Sequence, residues 1–305
     1  MSHISVVIPT RGRPDLIGRS VRAVLANDHS DFDVVVIDQS DSSATAEVVE
    51  TLAREDTRLR YVHTMPPGLS RAYNIGAGLA TAPIIAFTDD DCVARPDWVS
   101  TIAAAFASEP DADLLYGRVA LPAALVGAPG EVPVLPIAHA ERLGRRSGFR
   151  LYGMGANFAL RRQLLERIGG FDEILGGGGP LRSSQDFDLQ YRAYLSGAVV
   201  LLRPEVSVDH YGLRDELQWP STLRAYGIGD GAFYMKHVRC GDVRAATMLA
   251  RRLARTALRQ VRHILDPRRP SHGSYLRAVL EGMGASLSYP VDRSRRMYLP
   301  KEAGA

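Results

Sequence analysis

Three consecutive carboxylates, Asp89, Asp90 and Asp91, stand with Cys92 at the end of a short apolar run, Pro83 to Thr88. Adjacent carboxylates repel one another unless a cation or a set of donors compensates, and hard cations such as Mg²⁺ or Mn²⁺ take oxygen ligands of this kind. A bound divalent metal, or a metal-nucleotide, is one reading of the triplet; a solvated turn is the other. Asp38 ends a second apolar run, Asp33 to Asp38, where the simplest role for such a residue is a turn or helix cap. Asp186 and Asp188 open a stretch of helical spacing, Ser184 to Leu195. Their charge favours a helix N-terminus, and one of them has the chemistry of a general base. His210 follows Asp209 at the end of another apolar run, as a metal ligand or as an ordinary part-buried histidine.

These groups need elements that bring them to one place. From Ile4 to about Ala120, β-branched runs alternate with amphipathic helical stretches, the pattern of a parallel sheet covered by helices. Strands are predicted at Val6-Val7-Ile8, Asp33–Asp38, Leu59–His63, Pro83–Thr88 and Asp113–Ala120. Helices are predicted from Pro14, through Val48 to Leu52, from Ser70 to Leu79 and from Pro96. In such sheets ligands bind at the carboxyl ends of the strands, and the aspartates sit there. Residues 121–150, rich in Pro, Gly and Ala, read as a long connection or lid. Further on come a strand at Gly155–Leu160, a short helix at Arg162–Ile168, an unrestrained and mobile Gly176–Gly179 loop, and two strands at Ala198–Leu202 and Val206–His210. Beyond Tyr226 the chain is helical and Arg-rich.

Several chemistries are disfavoured. The first strand runs into Pro9-Thr10-Arg11-Gly12-Arg13-Pro14 rather than a Gly-x-Gly-x-x-Gly turn, and there is no Gly-Lys-Ser/Thr phosphate loop. Arg11 and Arg13 are either diphosphate contacts or a solvated pair. In Gly68-Leu69-Ser70-Arg71-Ala72-Tyr73-Asn74-Ile75-Gly76, Arg71 suits a phosphate and Asn74 a base or ribose, with helix capping the plainer account. Two cysteines exclude a disulfide scaffold and fit a reducing compartment. With no signal peptide and no apolar run of about 18 residues, a cytoplasmic protein is expected. Net charge is +3, yet residues 236–305 hold 15 Lys/Arg against 5 Asp/Glu, leaving 22 against 29 before them: an acidic front at −7 and a basic tail at +10. That asymmetry does not suit a nucleic-acid binder.

Taken in order, Val7-Ile8-Pro9-Thr10, Asp38, the Gly68 to Gly76 segment, Asp89-Asp90-Asp91-Cys92, Gly169-Gly170-Phe171-Asp172-Glu173 and Gln185-Asp186-Phe187-Asp188-Leu189 resemble the family 2 inverting glycosyltransferases of GT-A fold, over about residues 4–212. The resemblance implies an α/β fold: a Rossmann-like, mostly parallel sheet flanked by helices, with a C-terminal helical extension. Residues 1–120 would form the nucleotide-sugar half, 121–225 the acceptor and catalytic half, and 226–305 the extension. It also implies transfer of a sugar from a nucleotide diphosphate sugar to an acceptor hydroxyl on a glycan, a lipid-linked molecule or a small molecule. Asp186 would be the base, Asp91 and His210 the ligands of Mg²⁺ or Mn²⁺, and Pro9, Arg11, Asp38, Arg71, Asn74, Asp89 and Asp90 the donor-binding residues. The Gly176–Gly179 loop would close over the donor. A nucleotidyltransferase, or a binding protein without turnover for which Gln185 is the encouragement, are the alternatives.

In the tail, Arg251, Arg255, Arg259 and Arg262 recur at helical spacing opposite Leu249, Leu253, Ala257, Val261 and Ile264. Such a helix either docks its apolar stripe on the protein or meets an anionic membrane peripherally, at the inner face of the cell membrane.

Overall fold

A computed structural model describes residues 3–150, 153–215, 217–268 and 270–301. The chain divides into two compact units, residues 1–171 with 189–215, and residues 172–188 with 216–305.

The first unit opens as strand β1 (Ile4–Thr10), helix α1 (Pro14–Leu25), β2 (Phe32–Asp38), α2 (Ala44–Glu55), β3 (Leu59–His63), α3 (Leu69–Leu79), β4 (Ile84–Thr88), β5 (Cys92–Ala94), α4 (Trp98–Ser108) and β6 (Leu114–Ala120). It continues with β7 (Glu141–Leu143), β8 (Asn157–Arg161), α5 (Arg162–Ile168) and β9 (Val200–His210). Strand order is β3-β2-β1-β4-β8-β6-β9-β5, with β7 also on β9. The β3, β2, β1 and β4 ladders are parallel, as is β6 with β9, whereas β8 and β5 run antiparallel to their neighbours.

Because side chains alternate across a strand, each central strand feeds two cores. Ile4, Val6, Ile8, Val34 and Val36 pack on one face with Ile17, Val21 and Val24 of α1. Val7, Val35 and Ile37 pack on the other with Ala72, Tyr73 and Ala77 of α3. Gly76 lets α3 approach β1: a Cβ there would lie 2.3 Å from Val7 Cγ1. Since β1 leads to β2 on one side while β4 lies on the other, the strand ends of β1 and β4 form the topological switch point, where open α/β sheets bind ligands.

Apart from β7, two single 3₁₀ turns (Ala123–Leu125 and Arg145–Ser147) and the bridges Val119↔Leu135 and Glu131↔Arg214, the 121–150 connection is irregular. The two strands expected at 198–202 and 206–210 are one. Opposite β6, Arg203 pairs with Gly117 and Ser207 with Arg118, so the residues between them bulge, and Pro204, which has no N–H to give, lies there. The strands after residue 120 complete the same sheet as those before it, and the expected boundary at 225 falls inside a helix.

The second unit holds the loop Asp172–Ser184, the start of α6 (Gln185–Leu195), and helices α7 (Trp219–Arg239), α8 (Val243–Leu265) and α9 (Gly273–Ser286). The Gly-rich stretch, expected to be unrestrained, is tied by its own backbone: Gly176 N donates to Ser183 O, Gly179 N to Gly176 O, and Leu181 N to Ile174 O. No described helix is long and apolar enough to cross a membrane.

Candidate active site

Pairing of β1 with β4 stops at Val7, so Pro9 and Thr10 overhang at the switch point, where the triplet leaves β4. Pro9 is buried opposite Ile37. Thr10 Oγ1 donates to Asp90 Oδ2 at 2.8 Å. Arg13, immediately before α1, points Nη1 at both Asp90 Oδ1 (2.9 Å) and Asp91 Oδ2 (3.1 Å). Tyr73 Oη donates to Asp89 Oδ1 at 3.0 Å. The short strand β5 was not expected; its antiparallel pairing sets Cys92 opposite His210 on β9. That register brings His210 Nε2 to 3.1 Å from Asp91 Oδ1, across more than a hundred residues of sequence.

The three neighbouring carboxylates are driven apart in acidity. Burial, then the charges of Asp91 and Asp90, push Asp89 up to about 7, against the pull of His210 and of the Tyr73 hydroxyl. Burial also raises Asp90, although Arg13 opposes it. At Asp91 burial is outweighed by the hydrogen bond and charge of His210 and by Arg13, and the acid is held below its ordinary value. The thiol of Cys92, buried beside Asp89 and Asp91, is pushed up and stays protonated.

These residues fit a divalent cation. His210 Nδ1 lies 2.7 Å from Pro133 O, and a carbonyl only accepts, so Nδ1 carries a proton; Nε2, 3.1 Å from Asp91 Oδ1 and donating to it in the metal-free chain, is the nitrogen on which a cation would take the place of a proton. Asp91, Cys92 and His210 have potential donor atoms within 4.8 Å of one another. Gly212 keeps the space open, because a Cβ there would lie 2.6 Å from both Asp91 Oδ2 and His210 Nε2. A carboxylate and an imidazole beside a protonated thiol suit Mg²⁺ or Mn²⁺ better than a thiolate-seeking metal.

The other candidates divide. Asp38, fully buried, accepts from Ser40 N at 2.8 Å, from Ser40 Oγ, and at Oδ2 from Tyr61 Oη at 2.8 Å. Its turn-capping role is realised at the strand end next to β1. Arg11 is turned to the surface against Asp41 at 3.2 Å, and Arg13, two residues on, makes the contact with the triplet instead. Arg71 is half-buried, with Nη2 on Met65 O at 3.3 Å and Nε without a partner among the described residues. Asn74 is not brought to the triplet's carboxylates. Its Nδ2 donates to Phe171 O at 2.9 Å and its Oδ1 accepts from Phe171 N at 2.8 Å, which makes it a clamp on the loop after α5.

In the second unit, Asp186 stands half-buried in the first turn of α6, with Oδ1 accepting from Phe187 N at 2.8 Å. The turn before it holds Arg182 and Ser184 at φ 71° and 69°, a strained conformation that persists only where its surroundings impose it. Here Ser183 Oγ donates to Ala225 O (3.0 Å) and Ser184 Oγ to Asp230 Oδ1 (3.1 Å). Asp188 and Asp172 are fully buried. Lys236 Nζ lies 2.6 Å from both, His237 Nε2 lies 3.0 Å from Asp188 Oδ1, and Tyr298 N donates to Asp172 Oδ2 at 2.8 Å. Lys236 therefore pins both ends of the segment that carries Asp186, a role not read from the sequence.

Residues 5–169 match the sequence profile described as "Glycosyl transferase family 2". The chain is 29% identical over 228 residues to validoxylamine A glucosyltransferase of Streptomyces hygroscopicus subsp. jinggangensis, covering 64% of this chain and 53% of that one. It is 24% identical over 226 residues to glucosyl-dolichyl phosphate glucuronosyltransferase of Haloferax volcanii, covering 71% and 72%. The match thus spans about half the length of the Streptomyces relative. Among solved structures, a mannosyltransferase from Pyrobaculum calidifontis in complex with GDP-Man and Mn²⁺ superposes with a TM-score of 0.64 at 18% identity, over 92% of this chain and 87% of that one. TarS of S. aureus, residues 1–349 with UDP-GlcNAc, gives 0.57 at 19% identity, over 75% and 66%. The fold is GT-A.

Proposed function

The chain belongs to glycosyl transferase family 2, and we propose that it moves a sugar from a nucleotide diphosphate sugar to an acceptor hydroxyl by a single in-line displacement with inversion. The observation that carries this is the Asp89–Asp91 cluster at the switch point, faced by the Nε2 of His210, whose Nδ1 is tied to Pro133 O. Asp91 and His210 would hold a divalent cation, which when bound offsets charge developing on the diphosphate leaving group. Arg13 adds a fixed positive charge beside the same carboxylates and is the arginine we assign to the diphosphate. Asp38, braced by Ser40 and Tyr61, is assigned to the nucleobase, and Asp89, bonded to Tyr73, to the ribose.

Asp186 is assigned as the base that takes the acceptor proton. Asp172 and Asp188 are excluded from that role because both are buried against Lys236. Relatives named for validoxylamine A and for a dolichyl phosphate-linked sugar make a small molecule and a lipid-linked molecule the two acceptor classes to test first. The lipid-linked class carries with it peripheral contact of the protein with a membrane.

The test is release of nucleoside diphosphate from a panel of nucleotide sugars with Mn²⁺ and candidate acceptors. A transferase releases it and loses activity in EDTA; release of pyrophosphate would mark a nucleotidyltransferase, and binding without release a carrier. Full turnover in chelator overturns the metal assignment.

A further inference from the structure

Helix α8 carries six arginines and no aspartate or glutamate in its 23 residues. Its inner side is set by Ala245, Leu249 and Thr256, all buried, and by Arg252, whose Nη2 lies 2.6 Å from Asp230 Oδ2. The apolar residues expected to dock there do not all do so. Leu253 is half-buried, Ala257 is exposed, and the last two turns leave Leu258 at 51%, Val261 at 50%, Ile264 at 69% and Leu265 at 80% exposure. At about 100° per residue these four fill an outward arc of roughly 120°. Arg251, Arg255, Arg259 and Arg262, all exposed, fill the adjoining arc of roughly 80°. No ion pair joins these four arginines to a carboxylate among the described residues.

We propose that this outward face of α8 is a docking surface for an anionic lipid bilayer, the helix lying in the interface with its apolar arc in the acyl boundary and its arginines at the headgroups. Each half of the face excludes a different competitor. A second copy would bring the same row of arginines against this one, with no acid on α8 to answer them. A nucleic acid would satisfy the arginines and leave the apolar arc in water. A bilayer surface with anionic headgroups meets both. The inference shares only the membrane element of the function proposed above, and vesicle binding is scored without turnover, so either can fail alone.

The experiment is co-sedimentation of the full chain with vesicles of mixed phosphatidylglycerol and phosphatidylcholine. Binding is expected, weakening as salt rises from about 0.1 to about 0.5 M but not vanishing, because the apolar arc is insensitive to screening. At about fivefold per arginine, replacing Arg251, Arg255, Arg259 and Arg262 by Gln lowers affinity more than about a hundredfold at low salt. Val261→Ser with Ile264→Ser and Leu265→Ser lowers it about tenfold or more at both salts. All seven side chains face solvent, so the circular dichroism of both variants stays that of the parent. Several results overturn the proposal: no sedimentation, equal binding to phosphatidylcholine alone, or indifference to either set of substitutions. So does polyuridylate binding that competes with vesicles and ignores the serine substitutions, or dimerisation without lipid that the serine substitutions abolish.

Discussion

Asp186 and Asp188 lie two residues apart on α6, and their environments predict opposite consequences of the same substitution. Asp188→Asn removes a charge from a fully buried cluster in which Lys236 Nζ is 2.6 Å and His237 Nε2 3.0 Å from Asp188 Oδ1. Breaking a buried ion pair by neutralising one partner costs about 3–5 kcal/mol, because the other charge stays desolvated. Lys236 keeps Asp172 at 2.6 Å, which places the cost at the lower end, about 3 kcal/mol. For a chain of this size that is a fall in Tm of roughly 5 °C. Asp186→Asn keeps the acceptor for Phe187 N and removes a first-turn helix charge, whose loss costs about 0.3–1 kcal/mol, or at most roughly 2 °C. Its turnover falls by about 10²-fold or more, the scale for removing a general base, while nucleotide affinity holds. Differential scanning fluorimetry and initial rates on the two variants separate the cases. If Asp188→Asn is as inactive as Asp186→Asn while its Tm is unchanged, Asp188 is the base and the burial argument fails.

Gly212→Ala places a methyl 2.6 Å from Asp91 Oδ2 and His210 Nε2; Mn²⁺-dependent nucleotide affinity should fall about ten- to a hundredfold by calorimetry, the range for disturbing groups that orient ligands, and unaltered affinity refutes the site. Arg13→Gln removes a guanidinium that competes for Asp91 Oδ2 and that is proposed to meet the diphosphate, so Mn²⁺ alone should bind more tightly and nucleoside diphosphate more weakly; changes of the same sign would show that Arg13 has no separate role at the phosphates. His3 contacts carboxylate oxygens through both ring nitrogens, Asp31 and Asp33 at 2.8 Å each, which requires both to carry protons. Burial pulls its pKa down, but those bonds and charges outweigh it and the net shift is upward. The stability it confers is therefore complete below about 6.5 and lost as pH rises through the raised folded value; the Tm difference between the parent and His3→Gln should be largest in mild acid and vanish in alkali.

What was legible in the sequence is what depends on short-range periodicity. The β-branched runs at Val6–Ile8 and Val34–Ile37 supply alternating residues to two cores, and a strand buried on both faces shows such continuous apolarity. Strand ends then locate Asp38 and the triplet without any knowledge of pairing. The partner of the triplet was harder. His210 meets Asp91 only because β5 pairs with β9 in one register, and a shift of one residue would turn the imidazole to the other face. That Arg13 rather than Arg11 reaches the triplet has a related reason. Past the end of β1 the chain turns at Gly12, whose φ is 66°, and the direction of each arginine follows from that turn rather than from spacing.

Lys236 carries a signal of its own in the helical pattern. On α7, the positions three, four and seven before it are Phe233, Ala232 and Gly229, all buried, so the lysine continues an apolar stripe. A lysine there must either reach solvent or bring its counter-charge inside, since an unpaired buried ammonium is far more costly than any packing it supports. With no solvent exposure at all, Lys236 takes the second course, and two aspartates are the answer the chain gives. Both belong to sequence motifs that suggest chemistry, Asp172 after Gly169-Gly170-Phe171 and Asp188 after Gln185-Asp186-Phe187. The lysine's burial therefore separates the three aspartates of these motifs: it claims Asp172 and Asp188 as counter-ions, and this supports the assignment of Asp186, on the helix start that follows the strained turn held by Ser183 and Ser184, as the proposed base.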